Sequence, residues 1–213
     1  MLRRALILSL ATAALGSSAT AASATTIKTL AGATVAPGSS VTGGLKAGTT
    51  WHLEGGSAGD VDCGTFTIGG MLATNPFTPS VTGSASSLTF ANCSDTIPFV
   101  TVSTITTNVG TGANAKSMMF TYVPPGTSSS LMVAGLGFTI TFSSGSTCVY
   151  EPTGGAATGT HNSNTTPWNN EYAFNNVPYT KTGGTFFACP SSNVTVSWTW
   201  VLTSGGAGIT IQP

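Results

Sequence analysis

The chain has 213 residues, with 27 glycines but only six basic and six acidic side chains. At 6% charged residues, against about a quarter in ordinary soluble domains, it lacks the positive field that nucleic acid or an anionic membrane surface requires. Disorder does not fit either, because Val, Ile, Thr and Phe abound where disordered chains carry net charge and few apolar side chains.

The amino terminus reads as an export signal. Met1-Leu2-Arg3-Arg4 is a basic start, "ALILSLATAALG" (5–16) an apolar run too short to span a bilayer, and "SSATAASA" (17–24) a small-residue tail. Ala19-Thr20-Ala21 and Ala22-Ser23-Ala24 both fit the small-x-small cleavage rule, so residues 1–24 are assigned to a signal peptide and 25–213 to one domain. No cysteine follows the run, which argues against a lipid anchor. Cleavage removes both arginines and leaves four lysines against six carboxylates, a net charge of −2. Solubility must then rest on Ser, Thr, Asn and Gly.

Strand-like runs bounded by Gly, Pro, Ser and Asn follow in chain order. They are 25–31, 49–55, 63–72, 86–93, 99–109, 117–123, 131–144, 147–152, 171–179, 184–189, 193–203 and 208–213. No window holds a helical period, and Glu, Lys, Arg and Gln are scarce. In "NVTVSWTWVLT" (193–203) Val194, Val196, Trp198 and Trp200 share one face and Thr195, Ser197 and Thr199 the other. That pattern belongs to an antiparallel sheet wetted on one side. Short strands with such turns predict an all-β, antiparallel β-sandwich. The apolar stretch 131–142 predicts one central strand, with Gly135 and Gly137 marking a bulge or close backbone approach. A lipid-facing barrel strand is the alternative, against which stands the lack of long, regularly repeated amphipathic strands with aromatic girdles. Segments 124–130 and 151–170 read as loops.

Cys63, Cys93, Cys148 and Cys189 are an even set in an exported chain, where thiols oxidise. Sequential pairing, Cys63–Cys93 and Cys148–Cys189, is expected because each pair brackets a local group of strands. Zinc is disfavoured, since no C-x-x-C pair exists. "GGSAG" (55–59) matches the G-x-S-x-G nucleophile elbow at Ser57 in form only: "DVDCG" offers no following helix. His52 and Asp60 lie nearby in sequence, which is not triad geometry. Glu54, Asp60 and Asp62 lack calcium-loop spacing and read as a solvated loop, with His161 a loop residue too. Trp198 and Trp200 are expected in the core. Trp168, beside Pro167 in the long loop, is the tryptophan expected at the surface and the candidate contact for a ligand or interface.

The signal, the four-cysteine β body, "LTFANC…IPF" (88–99), "FTITFSSGSTCVY" (138–150) and "GGTFFACPSS" (183–192) together resemble a family. They are similar to the small secreted bacterial proteins known as activators of alkane oxidation. Members often carry Pro-Trp after the second cysteine, where this chain has Pro98-Phe99, and 151–170 is an elaboration. The resemblance implies a secreted, non-enzymatic factor without cofactors whose partner is a long-chain alkane or the cell surface. An oil–water contact through Trp168 and the strand 131–142 is the expected mode. A pilin-like adhesive subunit is the alternative, although "GITIQP" lacks the near-terminal aromatic of chaperone–usher pilins. A hydrolase at Ser57 is the remote alternative.

Overall fold

The computed structural model describes residues 24–77, 79–122, 129–161, 169–184 and 189–212. Along them run β1 (Thr26–Thr29), β2 (Ser40–Leu45), β3 (Trp51–Glu54), β4 (Val61–Leu72), β5 (Ser80–Asp95), β6 (Val102–Thr107) and β7 (Lys116–Thr121). There follow β8 (Ser129–Ala134), β9 (Phe138–Phe142), β10 (Thr147–Pro152), β11 (Ala156–His161), β12 (Glu171–Gly184), β13 (Asn193–Ser204) and β14 (Ala207–Gln212). Helical structure among the described residues is confined to two short 3₁₀ turns, Gly56–Ala58 and Gly112–Asn114. None is long and apolar enough to cross a membrane.

β13 pairs with β2, then the path runs β4, β5, β7, β8, β11 and β12, and β12 returns to β13. The sheet therefore closes into an eight-strand barrel, which corrects the sandwich expected from the sequence. The physical reason is that both architectures need the same alternation of buried and wetted residues. Closure is decided by pairings between strands far apart in the chain, above all β13 with β2, where Trp200 lies opposite Leu45, which the period cannot report. Closing the ring removes the edges of the eight wall strands, while β1 and β6 remain at the ends of the sheet order.

Two ribbons extend the ring. β12 gives one edge to β13, while its other edge pairs first with β11, at Ala173, and later with β10, from Tyr179 to Gly184. A bulge between Phe174 and Val177 marks the fork, and β10, β9 and β6 continue from it. At the end of β13, β14 turns back and carries β1.

Eight-strand barrels have interiors that side chains can fill. Here the filling is aromatic: Phe66 stacks on Phe90 (4.5 Å) and Trp200 (5.0 Å), and Phe174 stacks on Trp198 (4.3 Å). Phe138 from the β9 ribbon packs edge-on to Trp51 (5.1 Å), so ribbon and ring share one core. The Trp200 indole N–H donates to the Phe66 carbonyl (3.2 Å), in the interval of β4 between its pairings with β3 and β2.

Several segment assignments change: β2 (Ser40–Leu45) lies in none of the expected runs, and 171–179 extends as one strand to Gly184. The run 131–144 is two strands, because Gly135 turns the chain at φ 60°. Gly137 then lies against the Glu151 carboxylate, where a Cβ would collide. Residues 156–161, expected in a loop, form barrel strand β11. Its inward positions are Ala157, Gly159 and His161, and the Phe174 ring occupies the space a side chain at 159 would need. Small residues there are complementary to a neighbour's bulk.

The cysteines pair Cys63–Cys93 and Cys148–Cys189. Cys63 and Cys93 face each other directly across β4 and β5. The bridges close loops of 30 and 41 residues, each worth about 3–4 kcal/mol in the chain-entropy model.

Candidate functional site: a clamped loop presenting Phe99

The segment between β5 and β6 is built from the carboxylates that flank it. Asp95, at the end of β5, accepts the Ile97 N–H on one oxygen (3.2 Å) and the Val102 N–H on the other (2.6 Å). Hydrogen bonds to an ionised acceptor are the stronger kind, and this pair sets both ends of a tight loop. Asp60 fastens the same loop from the β3–β4 connection: its carbonyl accepts the Thr96 N–H (3.0 Å) and its own N–H donates to Thr96 Oγ1 (2.9 Å). The Asp60 carboxylate holds its own connection by accepting the Gly55 N–H (3.0 Å). Gly59, at φ 103°, approaches Ile97 so closely that a Cβ would lie 2.9 Å from the Ile97 backbone. Farther on, Thr101 and Ser143 exchange main-chain and hydroxyl contacts.

Within this frame the apolar residues divide. Ile97 and Val100 are partly buried against the core, whereas Phe99 between them is fully exposed, at 105% of its reference area. Phe99 also adopts φ 68°, a left-handed conformation that costs a residue with a Cβ about 1–2 kcal/mol. A bulky residue at positive φ is a genuine outlier. Strain of this kind persists only where the surroundings enforce it, and it gathers at functional positions. The loop holds an aromatic ring away from the core at a cost.

Opposite in character is the outer barrel face. Threonine hydroxyls pair across strands at Thr42–Thr203 (2.9 Å) and Thr67–Thr89, and between a strand and an adjoining turn at Thr74–Thr82 (3.1 Å) and Thr153–Thr180 (2.8 Å). A shallow groove of about 510 Å³ is lined by Thr42, Thr67, Ser87 and Thr203, by glycine backbone, and by the apolar Leu45, Ile68 and Val201. The surface is hydrated by hydroxyls rather than by charge.

The residues singled out in the sequence go to different places. Ser57 lies on the 3₁₀ turn Gly56–Ala58, which leads through Gly59-Asp60 into a strand, so the strand-to-helix elbow does not form. His52 bonds Asp62 (Nδ1···Oδ1 2.9 Å) and not Asp60. The three acids are not one solvated loop: Glu54 ends β3 and accepts the Thr195 hydroxyl (3.1 Å), Asp60 fastens the loop above, and Asp62 lies in β4. The expected contact strand 131–142 is corrected: Leu131, Val133, Leu136, Phe138, Ile140 and Phe142 are all buried, because both halves point their apolar faces into the core. Trp168 lies outside the described residues.

Sequence reading missed a row that crosses three strands. Register places Ser197 of β13 opposite His52 of β3, and His52 opposite Asp62 of β4. The order is that of a hydrolytic triad, but the serine is engaged elsewhere. Its Oγ accepts the Asn176 N–H (2.8 Å) and donates to Asn176 Oδ1 (3.2 Å). The proton that a general base would need is committed to an amide. The row therefore divides into two separate cross-strand contacts, His52 with Asp62 and Ser197 with Asn176, with His52 and Asp62 half-exposed.

The chain matches no protein-family model, no curated protein and no solved structure.

Proposed function

We propose that this is a secreted, non-enzymatic protein that attaches to an apolar phase, with Phe99 as the inserted anchor. The carrying observation is the fully exposed Phe99 ring, held at positive φ by a loop that Asp95 and Asp60 clamp. A preformed loop supports this reading because insertion then orders nothing further, and ordering costs are what reduce affinity. Leu30, Met71 and Phe77 are the other large apolar side chains exposed among the described residues, at 46%, 54% and 54%. The uncharged threonine face keeps the rest of the molecule in water. Two disulfides accord with an oxidising compartment outside the cytoplasm.

The resemblance to activators of alkane oxidation supplies the apolar phase: long-chain alkane, whose insolubility is the obstacle to its use. Phe99 stands where members of that family often carry tryptophan. Both side chains have the amphiphilic or apolar bulk suited to a water–oil boundary. The purified protein is expected to lower hexadecane–water tension at micromolar concentration. Activity no greater than that of an unrelated secreted β protein of equal size would overturn the proposal.

A second reading, an adhesive subunit assembled by strand addition, rests on β6, which ends the sheet order and pairs with β9. Gel filtration at rising concentration separates the two, since strand addition requires concentration-dependent growth in size.

A further inference from the structure

We infer that His161 is an acid-sensitive latch that holds β14 against the barrel. β14 pairs with β1 along its length, but with β13 only at Ala207 and Gly208, beside the turn. Its inner edge is bonded by side chains instead. His161, buried at the end of β11, presents Nε2 to the Ile211 N–H (3.4 Å) and to Thr210 Oγ1 (2.9 Å). Its Nδ1 faces the Glu171 carbonyl (2.9 Å). A carbonyl only accepts, so Nδ1 carries the proton and Nε2 is the acceptor for β14. The ring stacks on Tyr172 (4.5 Å), whose hydroxyl donates to the Ile209 carbonyl (3.3 Å) of the same strand.

Only the neutral imidazole can do this. A proton added at Nε2 turns the acceptor into a donor facing another donor, the Ile211 N–H, while Thr210 can rotate to accept. Among the described residues, none of the groups facing the ring compensates the new charge. On β12, Tyr172 is held neutral by burial, and Glu171 meets the ring through its carbonyl with its carboxylate paired to Lys46 (2.9 Å). On β14 the facing groups are Thr210 and Gln212, β1 places Lys28 opposite Thr210, and β8 places Ser129 opposite His161. The one full charge among these on the β14 side is positive.

Burial lowers the His161 pKa, with the Glu171 carbonyl opposing in part. The sign follows directly. The unfolded or detached state takes up the proton first, near the ordinary imidazole value of about 6.5, so the latch is at full strength above that pH. It weakens as pH falls from there towards the folded pKa. Release of β14 uncovers Ile209 and Ile211, both fully buried when it is seated.

Amide hydrogen exchange on the mature, disulfide-bonded protein tests this between pH 7 and pH 5, after correction for intrinsic exchange. Protection at Ile211 is expected to fall at least tenfold more than protection at Phe66 in the barrel wall. Equal losses at both sites, or none at Ile211, would overturn the latch. His161→Gln should abolish the selective pH dependence while leaving the barrel amides protected, and its survival in that variant would be equally fatal. If the variant does not fold, nitrogen chemical shifts of the wild-type ring decide: His161 should remain the Nδ1–H tautomer at pH 6. An imidazolium at that pH with Ile211 still protected would refute the inference.

Discussion

Replacing Phe99 with alanine separates surface activity from stability. The ring contacts solvent on all sides, so its removal leaves no cavity and costs the core nothing. Alanine retains a Cβ, so the strain at φ 68° stays and the backbone should not change. Folding free energy is therefore expected to move by less than about 0.5 kcal/mol, the range for surface sites without special contacts. Adsorption is another matter. Transferring a phenylalanine side chain from water to an apolar phase is worth about 2 kcal/mol over alanine, or about a 30-fold change in binding constant. The assay is pendant-drop tension at a hexadecane–water boundary as a function of protein concentration, with thermal unfolding measured in parallel. The Phe99→Ala isotherm should shift to about 30-fold higher concentration with an unchanged melting curve, and Phe99→Trp should lie on or below the wild-type curve. Superimposable wild-type and alanine isotherms would show that the protein adsorbs through another surface, and the strain at Phe99 would then need a different explanation.

Asp95→Asn keeps the shape of the clamp but removes its charge; with one oxygen replaced by an amide donor, the Phe99 loop should loosen and stability fall by about 1–3 kcal/mol, read by urea unfolding. Replacing Cys148 and Cys189 together with serine should cost about 3–4 kcal/mol, and non-reducing peptide mapping of the wild type should recover only the 63–93 and 148–189 crosslinks. Trp200→Phe deletes the indole donor to the Phe66 carbonyl and part of the ring; a loss of about 2 kcal/mol or more is expected in thermal unfolding, and a neutral result would mean that carbonyl finds another donor. Ser57→Ala and Ser197→Ala should each leave any hydrolysis of short esters at the background of the uncatalysed reaction, whereas loss of a measured esterase in either folded variant would establish an active serine.

How far the site could be read in advance depended on how local its causes were. Phe99 was not singled out from the sequence, where Pro98-Phe99 marked only a departure from the resemblance, and its exposure was not legible there. It arises because β4 and β5 lie side by side, bringing Asp60 against Thr96 from 36 residues away. His161 was misread for a similar reason: in "GTHNSN" it has only polar neighbours in sequence, and its burial comes from β12 and β14 closing over it. The alignment of Ser197, His52 and Asp62 needs three strands in register, which no spacing announces.

What the sequence alone determined is what nearest neighbours decide. Alternation at 193–203 placed Trp198 and Trp200 inward, since side chains along a strand alternate strictly from face to face. The scarcity of helix formers set the all-β class, and cysteines at the margins of neighbouring strands joined within their own groups. Tertiary structure alone decided that the sheet closes on itself, that "AATGTH" is a wall strand rather than a loop, and that Phe99 faces water while Ile97 and Val100 do not. These outcomes depend on pairings between residues tens to more than a hundred positions apart. A period of two states which face a side chain takes, but contains no term for which strand lies beside it or whether the last strand meets the first.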